Sequence, residues 1–207
     1  IAENLLDHRI ENQGNLSLPG RVLLLGFRGF KDFSPFLASE NLNILYSQGK
    51  IASSFRAEVL EELDLGGKAT NSLNLARAFD GEDFRKAFAK NVRPFLKSGE
   101  RLGLPAVLGW HDPGEALADL EKRLKADVFE IPMPPPSVPG IRLFRKFQIY
   151  LQNKGVRIVL GLSTLIPRME SKQIIGFSIG FSKKSPIYTA SAIVLATGKF
   201  VGGGLDS

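Results

Sequence analysis

Small and hydroxyl-bearing residues gather near the C-terminus in a pattern that suits contact with a ligand. The run Ala192–Gly198 is typical of an apolar strand that ends in Ala-Thr-Gly, and three more glycines follow at 202–204. Glycine lets the backbone approach a ligand closely, and a threonine hydroxyl can donate or accept a hydrogen bond. The pattern indicates a flavin or nucleotide contact at four residues: Thr197, Gly198, Gly202 and Gly203.

A second glycine turn, Gly26–Gly29, lies between a predicted strand and a predicted helix. This is the right context for a phosphate-binding turn, but it has two glycines where the dinucleotide fingerprint needs three. Arg28 and Lys31 could meet an anion at the start of the following helix. The ordinary alternative is that both are exposed basic residues without a ligand.

Histidine, serine and cysteine give little support for a metal or nucleophile site. The two histidines, His8 and His111, form no metal-ligand pattern with nearby acids, so no metal is expected. His111 precedes Asp112, which is explained as a helix cap, and a catalytic role for His111 is the less favoured interpretation. Ser137 lies between prolines just before a helix, where it either caps that helix or contacts a ligand.

Strands and helices alternate through residue 131, which predicts βαβ units around a mainly parallel, Rossmann-like sheet. Short apolar runs predict four strands, and helical spacing of apolar residues with good caps predicts the helices between them. The expected strands are 21–26, 51–59, 104–110 and 128–131. The expected helices are 35–47, one beginning near 72, one that Pro94 ends or kinks, and 113–125.

The second part of the chain has a different sequence pattern, with a proline-rich segment, one helix and several β-rich runs. Five prolines between Pro132 and Pro139 predict a stiff, extended connector that stops where a helix begins, and that helix ends near Asn153. Four β-rich runs then follow with turn residues between them, which predicts hairpins or a small antiparallel meander. The expected runs are 156–160, 164–169, 173–181 and 187–196. The fold class is therefore α/β, with a helix and a β-rich meander after the layered domain.

Composition excludes several classes of protein. The 207 residues include no cysteine, which rules out disulfides and thiolate metal sites, and no apolar run is long enough for a membrane span. The net charge of +6 suits anionic partners. No nucleic-acid motif accompanies the basic residues, so a solvated helix face is the favoured interpretation of their densest cluster. That cluster is Arg85, Lys86, Lys90, Arg93 and Lys97.

Several motifs, in order along nearly the whole chain, resemble the B subunit of anaerobic glycerol-3-phosphate dehydrogenase. Pro135–Leu143 and Ala192–Leu205 carry the resemblance most specifically, and Val22–Phe33 and Asn74–Asp80 support it. That family consists of flavoproteins related to the two-dinucleotide-binding-domain oxidoreductases. Compared with the family, the chain looks like a central fragment without the first glycine-rich strand-turn-helix unit.

The resemblance implies two domains, an inserted α/β domain at 1–133 and part of an FAD-binding domain at 134–207. It implies that Thr197 and Gly198 lie near the flavin, that 156–164 lies near the adenine side, and that Ser137 and Arg142 lie where the domains meet. Arg28, Arg77 and Arg142 become candidate anion or flavin-phosphate contacts. Helix-surface or domain-bridging roles are the alternative for each arginine.

The family passes electrons from glycerol 3-phosphate to the quinone pool, with its subunits assembled on the cytoplasmic side of the membrane. The resemblance implies FAD or FMN in the full-length protein, none bound by this fragment, and an A-subunit-like flavoprotein and a membrane-anchoring subunit as partners. It identifies no catalytic residue. Two other functions stay open, a non-enzymatic subunit-docking module and a free-standing anion-binding domain.

Overall fold

The computed structural model describes residues 16–135, 137–161, 165–179, 187–194 and 196. The chain divides into two compact units, with the boundary between Val156 and Arg157. The helix that follows the prolines therefore lies in the first unit. The predicted domain division after residue 133, which assigns this helix to a flavin domain, stays a prediction.

A four-stranded parallel sheet forms the centre of the first unit. Strand β1 (Gly20–Phe27) lies between β2 (Ser53–Leu60) and β3 (Glu100–Pro105), and β4 (Val128–Ile131) pairs with β3. The order β2-β1-β3-β4 means that the chain changes direction across the sheet after β2. The parallel α/β fold class is confirmed, and the carboxyl ends of β1 and β3 border the crevice where such sheets bind ligands.

Helices accompany the strands, and the side chain before most of them explains where they begin. Within the described ranges, the helices are α1 (Pro35–Ser47), α2 (Ser72–Phe79), α3 (Glu82–Val92), α4 (Pro113–Leu124) and α5 (Val138–Asn153). The side chains of Ser34, Asn71, Asp112 and Ser137 each accept a hydrogen bond from the backbone three residues later. Such caps satisfy helix N–H groups that have no partner within the helix.

Alternate side chains of β1 enter two separate apolar clusters. Leu23, Leu25 and Phe27 join the larger cluster, which also contains buried residues of α2, α3 and α4. Val22 and Leu24 enter the smaller one, against which Ala38 and Leu42 of α1 pack. Full burial of each such side chain contributes about 1.5–3 kcal/mol. The two clusters hold the sheet in the middle of three layers.

The second unit contains the predicted antiparallel meander. Strands β5 (Leu165–Glu170), β6 (Gln173–Ile179) and β7 (Ile187–Thr189) pair in that order. Ser171 and Lys172 connect β5 to β6 with φ angles of 46° and 69°. Positive φ at both central residues suits the right-handed twist of a tight hairpin.

Three strand predictions were wrong in position or kind. The third parallel strand is 100–105 rather than 104–110. A charged residue is not expected in a buried strand, but Glu100 is buried at the start of this one because it pairs with Arg56. Residues 156–160 form no strand, and three of their apolar side chains are exposed. Among the described residues of the last run, pairing is limited to Ile187–Thr189, where β6 offers a partner.

Candidate functional site

The loop that follows β3 lies at the carboxyl edge of the sheet and is tightly built. Its first residues, Ala106, Val107 and Leu108, are buried. Gly109 adopts a φ of 83°, and a Cβ atom there would lie 3.1 Å from the carbonyl oxygen of Asp112 and 3.2 Å from Oδ1 of Asp80. A side chain at Gly109 would therefore strain the backbone and crowd two oxygen atoms.

Arg142 of α5 fastens this loop to β4. Its Nη1 lies 2.6 Å from Oε2 of Glu130 and its Nη2 lies 3.0 Å from Oε1, while Nε and Nη2 also donate to the carbonyls of Gly109 and Leu108 at 2.8 and 2.7 Å. Oε1 of Glu130 accepts from the N–H of Leu108 at 2.6 Å. Both charged residues are 8% exposed, so the contacts form in a water-poor interior. The geometry makes Arg142 a positioning residue for the loop.

Asp80, which follows α2, holds the other end of the loop. Its Oδ1 accepts hydrogen bonds from the backbone N–H groups of Trp110 at 2.8 Å and His111 at 2.9 Å. Asp112 caps α4 by accepting from the N–H of Glu115. Both acids beside the loop thus have a structural task.

Two arginines lie close to the indole of Trp110, and one of them contacts His111. The guanidinium carbons of Arg77 and Arg145 lie 5.1 and 5.5 Å from the centre of that ring, within range of a cation–π interaction. Nη2 of Arg145 lies 3.4 Å from Nδ1 of His111. We call Arg77, Trp110, His111 and Arg145 the Trp110 cluster. It presents positive charge beside the carboxyl ends of the strands.

The other predicted residues lie in ordinary surroundings or outside the described residues. Arg28 lies after β1 and pairs with Glu61 at 2.6 Å, with the two side chains 73% and 63% exposed. Lys31 is also exposed. Ser137 caps α5 by accepting from the N–H of Gly140 at 3.1 Å, as one of the two interpretations predicted. The remaining predicted residues lie outside the described part of the chain: Thr197, Gly198, Gly202 and Gly203.

The basic cluster that begins on α3 and extends past its end contains one residue whose predicted exposure was wrong. Arg85 is 3% exposed rather than solvated, because it pairs with Asp119 at 2.7 Å and Glu115 at 2.9 Å. A groove of about 480 Å³ between α3 and α4 is lined by other cations of that cluster together with those of α4. Its lining includes Lys86, Lys90, Arg93, Lys122 and Arg123.

Sequence reasoning overlooked Asp80, Trp110, Glu130 and Arg145 as site residues. One signal was available, since Trp110 is the single tryptophan of the chain and stands next to one of the two histidines. Within the described ranges, no group of three His, Cys, Asp or Glu could hold a metal ion. None of the helices in those ranges combines the length and the hydropathy of a membrane span.

The chain is similar to curated proteins that belong to one enzyme complex. A probable B subunit of anaerobic glycerol-3-phosphate dehydrogenase from Halobacterium salinarum is 32% identical over 196 residues, which are 90% of this chain and 45% of the relative. The B subunits of the same enzyme from Haemophilus influenzae and Histophilus somni are 29% and 27% identical, over 94% and 90% of this chain and 46% and 44% of theirs.

No family model and no solved structure matches the chain. The chain spans about half the length of the curated relatives it matches. Each of these matches nevertheless covers nearly all of this sequence. The resemblance that the motifs predicted is thereby confirmed, and the chain is related to the B subunits of anaerobic glycerol-3-phosphate dehydrogenase.

Proposed function

We propose that this chain is part of a flavin-dependent oxidoreductase subunit of the glycerol-3-phosphate dehydrogenase (quinone) type. The similarity to B subunits of that enzyme over about nine tenths of the chain carries the proposal. In the proposed reaction, glycerol 3-phosphate is oxidised to dihydroxyacetone phosphate, and two electrons continue towards quinone. The protein would act at the cytoplasmic face of the membrane, beside an A-subunit-like flavoprotein and a membrane-anchoring subunit.

The flavin contacts are proposed for the C-terminal glycine segment rather than for the first glycine turn. At Gly26, a Cβ atom would lie 2.8 Å from the ring of Pro35, so packing against that ring explains this glycine. The Gly26–Gly29 turn therefore does not fit a dinucleotide cradle. The proposal places FAD or FMN against Thr197, Gly198, Gly202 and Gly203, and gives Arg142 and Ser137 the task of fixing the segment that leads from β4 into α5.

The flavin content of the full-length protein tests the proposal. We expect the purified protein to show flavin absorption bands, and heat or acid to release a flavin that chromatography identifies as FAD or FMN. Anaerobic addition of glycerol 3-phosphate with the A-subunit-like partner should bleach those bands, while glycerol without phosphate should not. A full-length protein that is colourless and releases no flavin would contradict the proposal.

A non-enzymatic docking role is the second candidate, favoured by one face of α5. Large side chains are exposed on this face of the helix: Leu143, Phe144, Phe147 and Tyr150. Exposed apolar patches mark interaction surfaces in soluble proteins. If docking is the function, a purified A-subunit-like flavoprotein should bind the flavin-free chain, and Phe144→Ser with Phe147→Ser should abolish that binding. The matched control is Phe36→Ser, which changes an exposed phenylalanine on α1.

A further inference from the structure

We propose that the Trp110 cluster binds the phosphate group of a small phosphate ester. Arg77, Arg145 and His111 would donate to the phosphate oxygens beside the indole. The site lies within the first unit and requires no flavin, so it does not rest on the proposed function. If that function holds, the site gives a phosphorylated substrate its anchor.

Arg77 and Arg145 differ from five other arginines of the described residues, which form ion pairs. Other arginines pair with a carboxylate within 4 Å: Arg28, Arg56, Arg85, Arg123 and Arg142. Across the described ranges, neither Arg77 nor Arg145 forms such a pair. Two like charges near one ring repel each other, and an anion that contacts both guanidinium groups would offset that repulsion.

Arg145 also has a polar atom that lacks a partner. Its Nη1 is shielded from solvent and makes no hydrogen bond with any described residue. A shielded donor without an acceptor is unfavourable, because water no longer satisfies it. A phosphate beside the accessible nitrogens of this guanidinium would supply an opposite charge that offsets this cost.

The loop that carries Trp110 and His111 is held in place before any ligand arrives. Asp80 fixes the N–H groups of both residues, and Arg142 fixes the carbonyls of Leu108 and Gly109. Because these groups are already positioned, little ordering of the loop would accompany binding. Of the acids that contact the loop, Asp80 and Asp112 each accept from backbone N–H groups through Oδ1, and Glu130 pairs with Arg142.

The number of donors favours phosphate over carboxylate. Two guanidinium forks and an imidazole can reach more oxygen atoms than the two of a carboxylate, whereas a phosphate monoester offers three terminal oxygens. The site also lies at the carboxyl edge of a parallel sheet, the usual position of ligands in such folds. Substrate phosphate and nucleotide phosphate share this chemistry, so the experiment separates them.

Tryptophan fluorescence of the 207-residue chain tests the site, because Trp110 is its single tryptophan. Inorganic phosphate, glycerol 3-phosphate and ADP are titrated separately at constant ionic strength. We expect a saturable change with phosphate, and tighter binding of glycerol 3-phosphate than of ADP if the anchored group belongs to a substrate. The reverse order would assign the site to a nucleotide, and calorimetry gives the dissociation constants independently.

Two variants and a control decide whether the cluster is responsible. Arg77→Gln and Arg145→Gln should each weaken phosphate binding by about tenfold or more, the loss expected for a charge-assisted hydrogen bond. Arg28→Gln removes a cation at the same edge of the sheet and should leave binding unchanged. Circular dichroism shows whether each variant is folded. If Arg145→Gln does not fold, Arg77→Gln decides, because Arg77 is exposed on α2.

Three results would overturn the proposal. The first is no saturable response to any of the three ligands up to about 10 mM, a concentration that would nearly fill a site with a Kd of about 1 mM. The second is equal weakening by Arg28→Gln, which would show a diffuse effect of net charge. The third is an equal response to chloride, which would show that ionic strength alone moves the fluorescence.

Discussion

Single side chains in the first unit connect segments that are far apart in the sequence. Arg142 joins α5 to the loop after β3 and to β4, and each of its three guanidinium nitrogens donates to an acceptor. A buried ion pair is not in itself a large source of stability, because both charges lose their hydration. Loss of one partner is costly, since the other charge then stays buried without compensation.

Replacement of Arg142 by Met should therefore lower the free energy of unfolding by about 3–5 kcal/mol, with the charge of Glu130 left uncompensated. Urea denaturation followed by circular dichroism measures the change. The double variant Arg142→Met with Glu130→Gln should recover part of the loss, because glutamine removes the charge and keeps an oxygen for the N–H of Leu108. An exposed control, Arg28→Met, should change stability by no more than about 0.5 kcal/mol. A double variant less stable than Arg142→Met would contradict this account.

At the scale of elements, two further ion pairs fix strands and helices to their neighbours. Arg56 of β2 donates to both oxygens of Glu100 at the start of β3, at 2.8 and 2.7 Å, and these hydrogen bonds hold the pKa of Glu100 below its usual value despite burial. Burial of Asp119 on α4 raises its pKa, but hydrogen bonds from Arg123 and Arg85 outweigh that effect and lower the pKa. Both carboxylates thus stabilise the fold as anions.

This arrangement predicts acid sensitivity. Because both folded-state pKa values are lowered, the unfolded chain binds more protons than the folded chain in acid. The stabilisation is complete above the unfolded pKa values of 4.5 and 3.8, and is lost as the pH falls through the lowered folded values. Urea denaturation at a series of pH values from 7 to about 3 should show this loss.

Glu100→Gln should be less stable at neutral pH and should lose less further stability in acid. Asp119→Asn should behave in the same way. Glu58→Gln is the control, because this carboxylate lies on the same sheet, contacts Arg56 at 3.3 Å and is more exposed than Glu100. An identical pH profile for the wild type and the Glu100 and Asp119 variants would show that other groups cause the acid loss.

At the scale of the whole molecule, the described packing and strand pairing of the first unit lie within that unit. Both apolar clusters, the four parallel strands and the Trp110 cluster lie before residue 157. The meander of the second unit has its own hydrogen-bonded pairing. Each unit therefore has its own set of internal contacts, as domains do.

A chain truncated after Val156 should fold on its own and unfold at the same urea concentration as the 207-residue chain, with Trp110 fluorescence as the probe. A chain truncated after Pro135 should be less stable, because it loses Arg142 and the buried Val138. If truncation after Val156 gave no cooperative transition, the first unit would depend on residues of the second.

Much of the fold was determined by local sequence. Helix α1 and strand β4 have the predicted bounds, since a proline after a capping serine begins the helix and a short apolar run bounded by turns forms the strand. The alternation of strands and helices predicted the parallel sheet, and the turn residues predicted the meander. The motifs also carried the family resemblance, which needed no coordinates.

Only the tertiary structure decided where charged residues lie and which of them meet. Glu100 begins β3, and Arg85 is buried, because each has a partner more than 30 residues away. Arg77, Trp110 and Arg145 come from three separate segments, and no local period connects them. Hydrophobic spacing reports local structure, whereas an ion pair or a binding site depends on long-range contacts that packing alone creates.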